Sequence, residues 1–257
     1  MKSMIKKIYL WLIFLFLYAP ILVLILFSFN ASRSRANWEG LSLRWYVELF
    51  RDQAIMSALA NTVIIAMVSA IVAAVVGTVA AVGIYRLRGW VKSFIMNVTY
   101  MPILNPDIVI GISMMILFIA VSFPRGMASL IIAHITFGLP YVVISVLPKL
   151  AQLDPQIFDA ALDLGATPRE AYMQVILPQI LPGVFTGFLL AFTMSVDDFV
   201  VSFFVTGNGV ANLAISIYSM ARRGVNPKIN AVLTLLFAAV VAMMALIQNR
   251  LKKTTIV

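Results

Sequence analysis

Six long apolar stretches decide what this chain can be. At about 8–29, 61–85, 97–121, 127–148, 180–204 and 229–249 it runs for twenty residues or more with very few charges. A helix needs about 20 apolar residues to cross a hydrocarbon core roughly 30 Å thick. Composition agrees: 62% of residues are hydrophobic and 11% are charged, where a soluble domain carries about 25% charged residues. The expected fold is an all-α integral membrane protein of about six transmembrane helices, forming a single transmembrane domain over residues 1–257. There is no cysteine, which excludes a disulfide framework and a thiolate metal site. The net charge of +9 reflects Lys and Arg flanking the spans. These residues are scattered, no soluble domain carries them as a basic face, and nucleic acid is not an expected partner.

The first run follows Lys2, Lys6 and Lys7 and has 22 residues with no small-x-small site after it. A signal-peptide core has about 7–15, so this is read as an uncleaved first span. An even number of spans puts both termini on one side. Lys2, Lys6 and Lys7 at one end, with Arg250, Lys252 and Lys253 at the other, place that side in the cytosol. The cluster Arg86, Arg88 and Lys92 between two spans agrees with this orientation.

Two spans carry local signals of their own. From Ser93 to Val121 there are 29 residues, about 44 Å as one straight helix, which is too long for a simple crossing. "MPILNPDIV" is expected to break it, because Pro102 and Pro106 each remove a backbone donor. Such a break at membrane depth survives only inside protein or against a water-filled cavity. The second span is dense in Ala and Gly, and Gly183, Gly187 and Ala191 repeat a small-residue spacing in the fifth. Small residues let helices approach closely in lipid. Between the spans, "NWEGLSLRWYVELFRD" in the loop 30–60 reads as a short amphipathic helix.

The loop 149–178 is the most informative. Asp154-Pro155 reads as a helix start and Gly165 as a left-handed helix end. Thr167-Pro168-Arg169-Glu170 reads as a second start with a capping box. Two short helices joined at a sharp turn are expected on the cytosolic face.

Asp159-Ala160-Ala161, then Gly165, then Val175-x-Leu177-Pro178 resembles the EAA loop of bacterial ABC-importer permeases, with Asp in place of Glu and Val in place of Ile. The stretches "YAPILVLILFSFN", "NPDIVIGIS", "HITFGLPYVV" and "LAFTMSVDDFVVSFFVTG" extend the resemblance to the C-type permeases of spermidine/putrescine importers. It implies a type I (MetI-like) importer fold with a core over about 57–247 and cytosolic coupling helices over 154–178. Asp159, Ala160, Ala161, Gly165, Leu177 and Pro178 would be the coupling residues. The resemblance also implies residence in the bacterial cytoplasmic membrane, a second permease subunit, a pair of ATPase subunits and an extracytoplasmic polyamine-binding protein. ATP and magnesium would belong to the ATPase. This chain has no Walker A pattern, no expected cofactor or metal, and no expected enzymatic activity.

Three carboxylates lie within apolar runs: Asp107, Asp197 and Asp198. An Asp at the centre of a membrane helix costs about 2.5–3.5 kcal/mol on insertion scales, and no intramembrane Lys or Arg is available to offset that. A polyamine would supply the missing charge, with aromatics such as Phe199, Phe203, Phe204, Tyr100, Trp45 and Tyr46 walling its methylenes. Asp107, Asp197, Asp198, Ser195 and Trp45 are therefore the candidate substrate-pathway residues. A structural reading stands beside this one. Asn105-Pro106-Asp107 is a good helix start, and Ser195-x-x-Asp198 resembles a capping box that would put Asp198 at a helix break. Neighbouring helical residues point about 100° apart, so one of Asp197 and Asp198 is expected to face the pathway and the other to hold backbone. His134 stands alone in its run and is expected to be a packed histidine bonded to backbone. An ion-coupled secondary transporter would also explain intramembrane acids, but not the coupling-loop pattern. An intramembrane hydrolase ranks last, for want of a partner to His134.

Overall fold

The computed structural model describes residues 2–33, 37–207, 209–222, 227–238 and 241. They divide into two compact units, residues 1–57 with 216–257, and residues 58–215. The described residues form α1 (Lys2–Ser28), α2 (Arg44–Arg51), α3 (Gln53–Arg86), α4 (Gly89–Leu104), α5 (Asp107–Ala120), α6 (Met127–Ala151), α7 (Ile157–Asp163) and α8 (Pro168–Glu170). A π-helical turn (Ala171–Ile176), α9 (Leu177–Asp197), α10 (Val200–Val205) and α11 (Leu213–Arg222) follow, and then α12 (Pro227–Ala238).

Four helices are long and apolar enough to cross a membrane, or five if the bent pair α4–α5 is one span. The expected sixth span, 229–249, lies partly outside the described residues, as do the cations at 250–253.

In the first unit the apolar window of α1 has no residue buried within the chain, as befits a helix that presents apolar side chains all round. The expected amphipathic helix is α2. Its Trp45 and Leu49 are buried, and Arg44 pairs with Glu48 one turn on at 2.6 Å. Trp45 donates its indole N–H to the Asn30 carbonyl oxygen at 2.6 Å, which ties α2 to the chain leaving α1.

The second unit is built around α6, whose buried residues include Leu130, Ala133, His134, Phe137, Val142, Val143 and Val146. The small-residue stripe of α9 lies against it. A Cβ on Gly187 would stand 2.7 Å from the Val142 Cα, and one on Gly183 would stand 2.8 Å from the Ser145 carbonyl oxygen. Gly77 of α3 meets the same Val142, where a Cβ would come within 2.8 Å of its side chain. Close approach of this kind replaces the hydrophobic effect as the cohesive force in lipid.

The expected break in "MPILNPDIV" is present: α4 and α5 meet at 106°. Its detail differs from the sequence reading. Asn105 closes α4, Pro106 occupies the N-cap of α5, and no side chain caps that end. Pro106 has no N–H to leave unpaired, and its carbonyl accepts the Val109 N–H at 2.9 Å.

The fifth span also differs from its expected bounds of 180–204. The helix begins at Pro168 and ends at Asp197, and α10 starts anew at Val200. Asp198 causes the break. Its Oδ1 accepts the Val201 N–H at 3.1 Å and its Oδ2 the Ser202 N–H at 2.7 Å, so two donors of the new helix are satisfied by a side chain. The capping signal at this point is thus correct in outcome, but Asp198 acts forward on α10, without Ser195. The short helix then lies on α5, where a Cβ on Gly111 would meet the Val201 Cα at 3.2 Å.

The helical hairpin of the loop 149–178 begins slightly later than expected. Asp154 makes a turn, its Oδ1 accepting the Gln156 N–H at 2.9 Å, before α7 opens at Ile157. Gly165 is left-handed at φ +89°. The Gly165 N–H reaches the Leu162 carbonyl and the Ala166 N–H reaches the Ala161 carbonyl, which is the paired bonding of a Schellman end. Thr167 and Glu170 form the expected capping box. The second helix is not short, however: it continues through the π turn into α9. Pro178 supplies a physical reason for the π turn. It cannot donate and its ring crowds the preceding turn, and the chain widens so that the Leu177 N–H reaches back to the Tyr172 carbonyl.

Two outcomes follow for the purified complex. Gly187→Val is expected to lower its melting temperature in detergent through about 1–3 kcal/mol of overpacking. Gly83→Ala, where an added Cβ meets nothing within 4 Å, is expected to leave the melting temperature unchanged or slightly raised. Asp198→Ala is expected to cost about 1–2 kcal/mol through the lost caps, while Asp197→Ala leaves the same melting curve in place.

Candidate functional site

The three acids singled out in the sequence line one cavity. Asp107 stands at the first residue of α5, Asp197 at the last of α9, and Asp198 in the break between α9 and α10. Together with Phe137 and Tyr141 of α6, Met194, Phe199, Val200 and Val201, they line a cavity of about 190 Å³. Each acid owes its place to a helix end. An acid at a helix N-terminus meets the positive end of the backbone dipole, which is the position of Asp107.

The acids are not equivalent. Asp107 and Asp197 are exposed in this chain. The Asp198 side chain is only 8% exposed, and its two oxygens are engaged by the Val201 and Ser202 N–H groups. Among the described residues no Lys or Arg forms an ion pair with any of the three. The nearest basic group is His134, whose Nε2 lies 3.5 Å from Asp198 Oδ2.

His134 is packed, as expected, but its partners are side chains and not backbone. Nδ1 lies 2.5 Å from Ser195 Oγ and Nε2 lies 3.0 Å from Ser202 Oγ. Asn212 donates to the same Ser202 hydroxyl at 2.8 Å, and its Oδ1 accepts the Ile215 N–H at the start of α11. Ser69 Oγ of α3 lies 3.4 Å from Ser195 Oγ. One buried network therefore joins α3, α6, α9, α10 and α11 directly behind the acidic cavity. Burial of so many polar groups is tolerable only because each finds a partner.

This network accounts for the place of one candidate residue, Ser195. Ser195 is buried at 2%; it faces His134 and does not line the cavity. Trp45 is buried in the first unit with its N–H committed to Asn30. Of the aromatics expected near the acids, Phe199 lines the cavity, and Tyr100, Phe203 and Phe204 do not. The sequence reading missed Phe137 and Tyr141. A signal was available: His134, Phe137 and Tyr141 recur at helical spacing and so share one face of α6.

The coupling-loop residues lie at the other end of α9. Asp159, Ala160, Gly165 and Pro178 are exposed, Leu177 is half-buried and Ala161 is buried. The Gly165 turn leaves Leu164 at 90% exposure.

Residues 73–255 match the family described as binding-protein-dependent transport system inner membrane component. The chain is 43% identical over 211 residues to the putrescine transport system permease protein PotI of Escherichia coli K12, covering 79% of this chain and 75% of that one. It is 39% identical over 200 residues to the spermidine/putrescine transport system permease protein PotC of the same strain, with 78% and 76% covered. To PotC of Haemophilus influenzae it is 37% identical over 212 residues, with 82% of each covered. Two solved structures share the fold. One is a bacterial ABC transporter involved in the import of the acidic polysaccharide alginate, at a TM-score of 0.73 and 16% identity over 98% of this chain and 94% of that one. The other is the inward-facing MetNI methionine ABC transporter, at 0.63 and 19% over 83% and 99%. An ion-coupled secondary transporter is set aside by these likenesses. The chain belongs to the binding-protein-dependent transport system inner membrane component family, and is a multi-pass permease subunit of an ABC importer.

Proposed function

We propose that this permease carries polyamines, spermidine or putrescine or both, into the cytosol along a path that it shares with a second permease subunit. One observation carries the reading: Asp107, Asp197 and Asp198 line a single cavity with Phe137, Tyr141 and Phe199, in a chain 43% identical to a putrescine permease. A polyamine is a flexible row of ammonium groups separated by methylenes. Carboxylates attract the charges, and aromatic faces serve both the methylenes and the cation. Asp107 and Asp197 present their charge to the cation. Asp198 holds the break with its capped carboxylate, and Ser195 and His134 support it from behind. At about 190 Å³ the cavity is smaller than the roughly 300–1,000 Å³ of a whole-ligand pocket. It suits one end of the substrate, with the second subunit completing the path.

In this reading both termini are cytosolic and residues 1–257 act as one permease domain. Residues 154–178 take their push from a pair of ATPase subunits, where ATP and magnesium reside. Asp159, Ala160 and the exposed Leu164 offer the docking face, and Gly165, Leu177 and Pro178 shape the turns around it. An extracytoplasmic binding protein delivers the polyamine. This chain makes and breaks no covalent bonds.

The test is uptake of radiolabelled spermidine and putrescine in cells lacking their own importers. Asp107→Asn and Asp197→Asn are each expected to lower uptake about ten-fold or more, the scale of a lost charge-assisted hydrogen bond, while the complex still assembles and hydrolyses ATP. Uptake at the wild-type rate in both variants would remove the cation path from these residues.

A further inference from the structure

The cytosolic end of the second unit carries an arrangement that the substrate path does not use. Arg86, in the last turn of α3, lies over two aromatic rings at once. Its Cζ stands 4.8 Å from the ring centroid of Phe158 in α7 and 5.1 Å from that of Tyr172 in the π turn. The two rings touch each other, with centroids 4.9 Å apart at 44°. Arg86, Phe158 and Tyr172 share a recess of about 220 Å³ with the carboxylates of Asp154 and Asp159, and among the described residues no ion pair within 4 Å draws the guanidinium away from the rings.

We propose that Arg86 is a positioning residue for energy coupling: its planar cation clasps the coupling helix α7 to the root of α9, so that a push on α7 is delivered to the helix that ends at Asp197. This rests on the transport reading above.

Three features support the clasp. First, α7 has seven residues, too few to hold its place by helix propensity; tertiary contacts must seat it. Second, it is covalently joined to the α9 helix only through the Gly165 turn, where the backbone is left-handed and an added Cβ would meet nothing. Without a second attachment, a push on α7 would swing that turn before it moved α9. Third, Tyr172 lies within the π turn, and such turns are common at functional joints. The guanidinium suits the task because it is planar, always charged and able to stack on two faces. An ammonium is a point charge and cannot lie flat against the same rings.

The experiment reconstitutes the complete importer in proteoliposomes and reads radiolabelled putrescine uptake and ATP hydrolysis in the same sample. The quantity of interest is substrate moved per ATP. Arg86→Gln is expected to lower that ratio about two- to five-fold, the scale of a cation–π contact at an exposed residue, with hydrolysis itself sustained. Arg86→Lys is expected to fall between the two. Hydrogen exchange in the assembled complex is expected to rise over 157–163 and 171–176 in Arg86→Gln. A purely structural role would lower complex yield and hydrolysis together and leave the ratio alone, and that result would overturn the proposal. If Arg86→Gln does not assemble, Arg86→Lys decides: a wild-type ratio there refutes the clasp. Absence of ATP-driven uptake in the wild-type complex would remove the transport reading and the clasp together, whereas an active wild type with unaltered variants removes the clasp alone.

Discussion

The Asp198 carboxylate accepts the N–H groups of Val201 and Ser202, and the inner half of the molecule is arranged around that necessity. A helix that stops at membrane depth exposes backbone donors where no bulk water can take them. Asp198 satisfies two of these donors, His134 lies against its far oxygen, and Ser195, Ser202, Asn212 and Ser69 occupy the remaining polar edges. This pinned break lets α9 end where it does, leaving Asp197 exposed beside Asp107. Each acid at the cavity is thus tied to an interrupted helix, and the interruption at Asp198 is backed by a buried network.

The same element serves two purposes. On one part of its surface α6 carries Val142, Val143 and Val146, against which the small residues of α3 and α9 close. A turn or two away it turns His134 to the network and Phe137 and Tyr141 to the cavity. The helix from Pro168 to Asp197 has 30 residues, about 45 Å at 1.5 Å per residue. It therefore joins the helical hairpin to the acidic cavity without an intervening loop. Packed backbone to backbone along Gly183 and Gly187, it has little freedom to absorb a displacement by bending there.

What could be read in the sequence is what local chemistry controls. Pro106 announces the bend between α4 and α5, while Pro102 is carried within α4; Gly165 announces a left-handed end; Thr167 and Glu170 announce a capping box. In each case the cause lies within a few residues of its effect. Ser195 is expected on the pathway, and the structure turns it to His134, 61 residues away; no pattern near either residue pairs them. For the same reason the expected backbone partner of His134 proved to be two serines. Helix 168–197 was read as a short helix followed by a span because Leu177-Pro178 resembles a boundary. A π turn widens the backbone around such a proline and carries the helix on.

That widened turn also sets the phase of everything after it. Each residue of an α-helix advances about 100° around the axis. If the chain from Pro168 were wound uniformly, Gly183, Gly187 and Ala191 would be rotated by roughly one such step from the face they present to α6, and Asp197 would be carried away from the cavity with them. The turn at 171–176 takes up the extra residue. It lets the two ends of one helix obey separate demands: the Pro168 end keeps the orientation that the capping box and Tyr172 require, and the Asp197 end keeps the one that Val142 and the acids require. The orientation of the acids is therefore set by the contacts of the Asp197 end and not by the phase in which the helix begins.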